Sequence, residues 1–228
     1  MTQALIVGVG PGLSASFARR LAAAGHTVAL AARRTEKLVA LAKETGGSVH
    51  TCDAADPASV AALFEAVPSP GLVLFNASYR VRGPFVDLDA AEVAKTLQVT
   101  AYAAFLVAQH AARRMLAAGG GTILLTGASA GVKGYPQSAP FAMGKFALRG
   151  LAQSMARELH PQGIHVVHVV VDGGIRAAAR PETADTPADK PDSMLDPDAI
   201  AQTMMDLVAQ PRSCWTDEIA VRPWVERF

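Results

Sequence analysis

The sequence has few of the residues that would indicate a disulfide framework, a metal site or a nucleic-acid surface. Only two of its 228 residues are cysteines, and Cys52 and Cys214 lack the Cys-x-x-Cys spacing of such sites. His165 and His168 are three apart in an expected strand, so they would face opposite sides of it and share no metal. The formal net charge of +1 gives no reason to expect a nucleic acid or a membrane surface as partner. No apolar run reaches the about 18 residues of a membrane span, and we expect a cytoplasmic protein without a metal.

The sequence is rich instead in apolar strand-like runs that alternate with amphipathic helical segments. Its 228 residues suit one sizeable core, so a single domain is expected over residues 1–228. The alternation predicts an α/β fold, a doubly wound parallel sheet of about seven strands with helices on both faces. The longest helices are predicted over residues 89–118 and 138–160, and a shorter one over residues 35–44. Residues 178–197, rich in Ala, Pro, Asp and Thr, predict a flexible loop on the substrate side.

A glycine-rich turn follows the first predicted strand. Residues 8–14 read Gly-Val-Gly-Pro-Gly-Leu-Ser, and a helix is expected to begin near Gly12. Glycines allow the backbone to bend sharply and to approach a ligand closely. The N-terminus of the helix then presents unpaired N–H groups that attract a phosphate. Together with the alternating elements, this turn predicts a Rossmann fold that binds a dinucleotide beyond the carboxyl ends of its strands.

The end of the second predicted strand indicates which dinucleotide is bound. In such folds an acidic residue at this place binds the ribose 2′-hydroxyl, whereas an arginine accommodates a 2′-phosphate. Residues 31–34 read Ala-Ala-Arg-Arg, so Arg33 and Arg34 stand where a carboxylate would be needed for NAD. A charge-assisted contact between arginine and phosphate contributes about 1.5–3 kcal/mol. We therefore predict NADP(H) in preference to NAD(H).

Several motifs in the right order resemble the short-chain dehydrogenase/reductase family over essentially the whole chain. Residues 8–14 occupy the place of that family's TGxxxGxG, residues 75–78 (Phe-Asn-Ala-Ser) that of NNAG, and residues 172–175 that of its PG-x-I segment. Asp53 is similar to the acid that contacts adenine, and Lys145 matches the lysine of YxxxK. The resemblance implies the following cofactor-binding residues: Gly8, Gly10, Gly12, Leu13, Ser14, Arg33, Arg34, Asp53, Asn76, Ala77, Ser78, Lys145, Gly173, Gly174 and Ile175.

Three of the family's four catalytic positions carry other residues in this sequence. The family uses Asn, Ser, Tyr and Lys, and its spacing places Thr100, Ala128 and Phe141 at the first three. Only Lys145 remains. In the family the tyrosine exchanges a proton with the substrate oxygen, and phenylalanine has no proton to donate. Because general acid–base catalysis is worth about 10²–10⁴-fold, the family's ordinary carbonyl chemistry by its ordinary route is not expected.

Other residues of the sequence could supply the proton. The catalytic candidates are Lys145, which would orient the nicotinamide ribose, Tyr135 in the loop before the Phe141 helix, and Ser129. Tyr79 is a second candidate tyrosine, and Asp172 is a candidate base that could equally cap a turn. The predicted loop over residues 178–197 would close over the substrate.

These residues leave three functions open. The favoured one is an NADP(H)-dependent oxidoreductase that acts on a small carbonyl, alcohol or enone substrate with atypical proton-transfer residues. The alternatives are an NADP(H)-binding protein without redox turnover, as a sensor or structural partner, and a non-redox lyase or isomerase on the same fold. The two long predicted helices resemble those that form the family's dimer interfaces, so a homodimer or homotetramer is expected.

Overall fold

The computed structural model of the chain describes residues 2–176 and 192–226. Within these residues the strands are β1 (Gln3–Val7), β2 (Thr27–Ala32), β3 (Ser48–Thr51), β4 (Pro70–Phe75), β5 (Gly121–Thr126), β6 (Ile164–Val171) and β7 (Glu218–Val221). The α-helices are α1 (Leu13–Ala23), α2 (Val39–Thr45), α3 (Pro57–Ala66), α4 (Ala90–Leu97), α5 (Ala103–Ala117), α6 (Ala139–Leu159) and α7 (Pro197–Val208). Short 3-10 turns and one π-helical turn complete the described secondary structure.

All seven strands form one parallel sheet in the order β3-β2-β1-β4-β5-β6-β7. The chain builds outward from β1 to β3, returns to β4 on the other side of β1, and continues to β7. The carboxyl ends of β1 and β4 therefore flank the point where the strand order reverses, which is where ligands bind in such sheets. The predicted doubly wound Rossmann fold is confirmed.

Two apolar layers hold the helices against the sheet. Helices α1, α2 and α7 cover one face, where Phe17 and Met204 are fully buried. Helices α3, α5 and α6 cover the other face around Phe64 and Leu148, which are also fully buried. All eight residues of β6 are buried, which explains why this strand is almost continuously apolar. None of the described helices is long and apolar enough to cross a membrane.

The long helix predicted over residues 89–118 is found as a continuous run of helical turns over residues 90–117, with a π-helical turn in its middle that was not predicted. Helix α4 ends at Leu97, a π-helical turn spans Gln98–Tyr102, and α5 then begins. The wider turn places Thr100 in the interior, where its Oγ1 accepts a hydrogen bond of 3.3 Å from the backbone N–H of Tyr79. The π-helical turn therefore occurs together with a contact between parts of the chain that are distant in sequence.

The structure also corrects the start of the second helix. Residues Glu36–Leu38 form a 3-10 turn, and α2 begins only at Val39. The side chain of Thr35, at the start of this turn, makes no capping hydrogen bond.

Part of the predicted flexible loop over residues 178–197 lies outside the described residues. Its described end is anchored, because the N–H of Leu195 donates to the carbonyl of Gly174 over 2.8 Å and Leu195 is buried. Asp196 then caps α7 by accepting a hydrogen bond from the N–H of Asp198.

Candidate functional site

The glycine-rich turn requires glycine at its first position. Gly8 has a φ of +84°, and its N–H donates to the carbonyl of Ala31 over 2.9 Å. A Cβ at Gly8 would lie 2.4 Å from the backbone nitrogen of Ala77, which follows β4. The N–H of Asn76 donates to the carbonyl of Val7 over 2.8 Å. The backbones that leave β1 and β4 are therefore in direct contact, and any side chain at Gly8 would separate them.

Ser14 stabilises the same turn from inside. Its Oγ accepts a hydrogen bond of 2.9 Å from the N–H of Gly10 and donates one of 3.2 Å to the carbonyl of Gly10. The side-chain amide of Asn76 donates to the carbonyl of Gly8 over 3.2 Å and lies 3.4 Å from Ser14 Oγ. Ser14 is 1% exposed. The serine that replaces the family's last glycine thus holds the loop in shape.

A cavity of about 830 Å³ lies beside this turn. It brings together these predicted cofactor-binding residues: Gly8, Gly10, Arg33, Arg34, Asp53, Asn76, Ala77 and Ser78. Gly12, Leu13, Ser14 and Ile175 line an adjoining smaller cavity of about 110 Å³ that shares Gly10 and Asn76. Lys145, Gly173 and Gly174 line neither cavity.

The charged residues of the larger cavity differ in how they are held. Asp53 Oδ1 accepts a hydrogen bond of 3.1 Å from the N–H of Ala55, so the carboxylate is fixed in its own turn. Arg33 and Arg34 follow β2 and form no salt bridge with any residue that the structure describes. Their positive charge is therefore available to a ligand in the cavity. A group with several phosphates fits the turn, the helix N-terminus and this pair of guanidinium groups.

Lys145 is buried at the carboxyl end of β5. It is 3% exposed, and its Nζ donates to the carbonyl of Thr126 over 2.7 Å. Burial lowers the pKa of Lys145 to about 8. An ammonium group has three donors, so the bond to Thr126 fixes the side chain and leaves others for a ligand.

The three residues that sequence analysis assigns to the family's other catalytic positions carry no group that titrates near neutral pH. The ring centroid of Phe141 lies 5.8 Å from Lys145 Nζ. Thr100 is buried against Gly144, where an added Cβ would come within 3.1 Å of Thr100 Cβ. Ala128 is extended and leads into the 3-10 turn Ser129–Gly131. Lys145 thus lies beside an apolar ring.

The structure adds one residue that the sequence did not single out, Arg80. Its Cζ lies 4.9 Å from the ring centroid of Phe141, within cation–π distance. Burial, and secondarily the charge of Arg82, lower the pKa of Arg80. The signal in the sequence was an Arg-x-Arg pair shortly after residues 76–78, at the edge where the ligand was expected.

The two predicted proton donors lie in the loop between β5 and α6. Tyr135 is 39% exposed, and the centre of its ring lies 5.5 Å from Lys133 Nζ. Ser129 is partly buried, and its carbonyl accepts hydrogen bonds from the N–H groups of Val132 and Lys133. Their roles in catalysis remain predictions.

The two weaker candidates have charged partners. The hydroxyl of Tyr79 donates to Glu92 Oε2 over 2.5 Å and accepts a hydrogen bond of 3.3 Å from Lys95 Nζ, so it points to α4. Asp172 is 6% exposed, and its Oδ2 lies 3.7 Å from Arg222 Nε. Both side chains therefore have a structural partner already.

A partly buried ionic cluster connects α6, β6 and β7 near Lys145. Glu218 accepts two hydrogen bonds from Arg149, of 2.7 and 2.6 Å, and lies 2.9 Å from His168 Nδ1. A Cβ at Gly127 would lie 2.3 Å from His168 Nε2, so only glycine fits there. Burial lowers the pKa of His168 despite the opposing effect of Glu218. Sequence analysis missed this cluster, because its members are far apart in the chain.

The described residues contain no group of three or more His, Cys, Asp or Glu side chains that could hold a metal ion. The charged groups of the site are therefore arginines, lysines and single carboxylates, as described above.

Comparison with known proteins gives the family. The model of the short chain dehydrogenase family matches residues 2–187. The chain belongs to this family. Its members are NAD(P)-dependent oxidoreductases, and the cavity beside Gly8 lies where that class of cofactor binds in a doubly wound sheet.

Individual members of the short chain dehydrogenase family are similar to this chain over most of their length. A trans-4-hydroxycyclohexanecarboxylate dehydrogenase from Sinomonas cyclohexanicum is 30% identical over 220 residues, covering 90% of this chain and 83% of that protein. A crystal structure of a short-chain dehydrogenase from Rhodopseudomonas palustris is 33% identical with a TM-score of 0.83, covering 97% and 98% of the two chains. A metagenomic short-chain oxidoreductase in complex with NADP is 27% identical with a TM-score of 0.81, covering 98% of each chain.

Proposed function

We propose that this short chain dehydrogenase is an NADP(H)-dependent oxidoreductase for a small carbonyl, alcohol or enone substrate, with proton transfer that bypasses the position of Phe141. One observation carries the proposal. The cavity of about 830 Å³ joins the Gly8 turn to Arg33 and Arg34, two guanidinium groups without a carboxylate partner among the described residues. The similar oxidoreductase in complex with NADP supports the same cofactor.

Each part of the cavity has a role in holding the cofactor. The turn from Gly8 and the N-terminus of α1 would bind the pyrophosphate through backbone N–H groups. Arg33 and Arg34 would bind the 2′-phosphate by charge-assisted hydrogen bonds. Asp53 would contact the adenine, and Lys145 would hold the nicotinamide ribose. When bound, the cofactor supplies or accepts a hydride at the nicotinamide.

Reduction of a carbonyl also requires one proton at the substrate oxygen. Phe141 cannot provide it, and Lys145, which donates to the carbonyl of Thr126, is assigned above to the nicotinamide ribose. We assign the proton to Tyr135, Ser129 or a water molecule held near them. Tyr135 is the first to test, because its hydroxyl forms no hydrogen bond with a described residue and its ring is partly exposed.

The experiment that tests the proposal follows NADPH absorbance while the protein is supplied with a panel of small ketones, aldehydes and enones. We expect oxidation of NADPH with at least one of them. Tyr135→Phe should reduce kcat by about 10²–10⁴-fold if Tyr135 is the donor, since that is what a general acid contributes. Tyr102→Phe, a tyrosine on the π-helical turn, is the matched control.

A second function is favoured by a specific observation. No side chain that titrates near neutral pH stands at Thr100, Ala128 or Phe141, which suits an NADP(H)-binding protein without redox turnover, as a sensor or structural partner. Absence of turnover in the wild type together with turnover in Ala128→Ser/Phe141→Tyr would support this alternative. NADPH binding should be retained in both proteins.

We also propose that the protein assembles as a homodimer or homotetramer through α5, α6 and the π-helical turn. Tyr102, Phe105, Met143 and Phe146 on these elements are between 40% and 48% exposed in the single chain. Contiguous exposed apolar surface on a globular protein indicates an interaction site.

A further inference from the structure

Arg80, which is exposed, and Lys145, which is buried, lie within cation–π distance of the same aromatic ring. The Cζ of Arg80 is 4.9 Å, and Nζ of Lys145 is 5.8 Å, from the ring centroid of Phe141. Phe141, at the position assigned to the family's tyrosine, thus packs against a guanidinium group. Lys145 is buried and donates to the carbonyl of Thr126, whereas Arg80 is exposed. Arg80 is therefore the cation beside Phe141 that a ligand can reach from solvent.

The segment that carries Arg80 is fixed at both ends. The N–H of Tyr79 donates to Thr100 Oγ1 over 3.3 Å, and the hydroxyl of Tyr79 donates to Glu92. On the other side of Arg80, the N–H of Gly83 donates to the carbonyl of Gln137 over 3.1 Å, across the start of α6. These contacts place the guanidinium over the ring and limit the positions that it can take.

Arg80 and its neighbour Arg82 have no carboxylate partner among the residues that the structure describes. Other arginines in the described ranges do: Arg19 pairs with Glu44 and Arg149 with Glu218. Arg82 is close enough to contribute to a lowered pKa of Arg80, so two like charges are held near one another without compensation. A guanidinium group stacked on a ring keeps the N–H donors at its edge free for an anion.

We propose that Arg80, supported by the charge of Arg82, binds an anionic group of the substrate, either a carboxylate or a phosphate monoester. The substrate would then be an oxo acid or a phosphorylated ketone or alcohol, with its anionic group above Phe141. This rests on the proposed function, since it takes the space beside Lys145 as the place where the substrate is held. A neutral substrate would leave both arginines without a counter-ion.

The test compares matched ligands in the presence of saturating NADP⁺ by isothermal titration calorimetry. The probes are pyruvate and levulinate against their methyl esters, and dihydroxyacetone phosphate against dihydroxyacetone. We expect at least one anion to bind about 10- to 100-fold more tightly than its neutral counterpart, as a charge-assisted hydrogen bond provides. The carboxylate and phosphate pairs distinguish the two chemical classes.

Variants then assign the effect to Arg80. Arg80→Gln should remove the preference for the anion, and Arg80→Lys should retain part of it. Arg157→Gln is the matched control, because Arg157 is exposed in the last turn of α6 and bonds only to the carbonyl of Gln153. NADPH affinity should be the same in all four proteins, which shows that Arg80→Gln still folds. Equal binding of anions and neutral counterparts, or an unchanged preference in Arg80→Gln, would overturn the proposal.

The same ligands in the NADPH oxidation assay separate this proposal from the proposed function. Binding of an anion that depends on Arg80, without turnover of any ligand, would keep the anion site and remove the oxidoreductase. Turnover of neutral ketones that is unaffected in Arg80→Gln would keep the oxidoreductase and remove the anion site.

Discussion

Lys145 is the residue whose charge state has the widest consequence for the site. Its ammonium group is buried beside Phe141 and donates to the carbonyl of Thr126, and burial lowers its pKa to about 8. In the family's arrangement a tyrosine would be the titrating partner of this lysine. Here the adjacent ring cannot ionise, so Phe141 exchanges no proton with Lys145.

Binding of NADPH should therefore weaken as pH rises through about 8 in the wild type, because the neutral amine loses its charge and one donor. At least one pH unit below that value Lys145 should no longer contribute to the pH dependence, since it is then almost fully protonated. Fluorescence titration with NADPH, repeated between pH 6.5 and 9 in steps of about half a pH unit, would measure this change in affinity. Lys145→Met should bind NADPH weakly at every pH, and an equally steep loss of affinity in that variant would contradict the assignment.

We expect Arg33 to decide the preference between NADP(H) and NAD(H). It lines the cavity and forms no salt bridge with a described residue, so a 2′-phosphate would be its partner. We expect Arg33→Ala to weaken NADPH binding by about 10- to 100-fold and to leave NADH binding within about threefold. Arg113→Ala, at an exposed position of α5, is the control. A wild type that binds NADH as tightly as NADPH would show that the prediction is wrong.

At the scale of elements, local sequence predicts the strands, and the residues that directly follow them, more fully than it predicts contacts between separate elements. Strand β6 is buried throughout, so its apolar sequence predicts a strand. Gly8 and Arg33 directly follow β1 and β2, so their places at the ends of these strands could also be predicted. The π-helical turn over Gln98–Tyr102 could not be predicted from local sequence, because it occurs together with the hydrogen bond from Tyr79 to Thr100. Arg80 likewise contacts Phe141 from a separate part of the chain, since Arg80 follows β4 and Phe141 lies in the first turn of α6. Such contacts depend on the assembled fold and leave no local pattern.

The contact between α6, β6 and β7 makes the stability of the fold depend on pH. His168 is 1% exposed, and its pKa is lowered by burial, with Arg149 and Lys145 adding to that effect and Glu218 opposing it. The folded state therefore favours the neutral imidazole. As pH falls below the ordinary histidine value of 6.5, the unfolded chain takes up the proton more readily than the folded protein. The free energy of unfolding should then decrease on acidification.

Urea unfolding at pH 7.5 and at pH 5.5 would measure this decrease, to which one histidine with an unfolded-state pKa of 6.5 can contribute at most about 1.4 kcal/mol. His168→Gln should flatten the pH dependence over the same interval, because it removes the group that takes up the proton. A variant with the same slope as the wild type would show that other residues, such as His165 with its similarly lowered pKa, are responsible.

At the scale of the whole molecule, the two faces of the sheet differ in what they expose. The face covered by α5 and α6 presents Phe105, Met143 and Phe146, which are 40%, 48% and 44% exposed, beside Tyr102 of the π-helical turn. On the opposite face, Val39 at the start of α2 is also exposed but stands apart from that cluster. Exposed aromatic and methionine side chains that are contiguous favour association, whereas a single exposed apolar residue does not.

We therefore expect light scattering to give a mass at least twice the 23.7 kDa of one chain. Phe105→Glu/Phe146→Glu should shift the protein to the monomer, because association would bury two uncompensated carboxylates per chain at a cost of several kcal/mol. Val39→Glu places the same charge on the other face and should leave the mass unchanged. NADPH binding in the double variant would show that the monomer is folded, since the cavity beside Gly8 is built within one chain. A wild type that is monomeric at high protein concentration would contradict the proposed assembly.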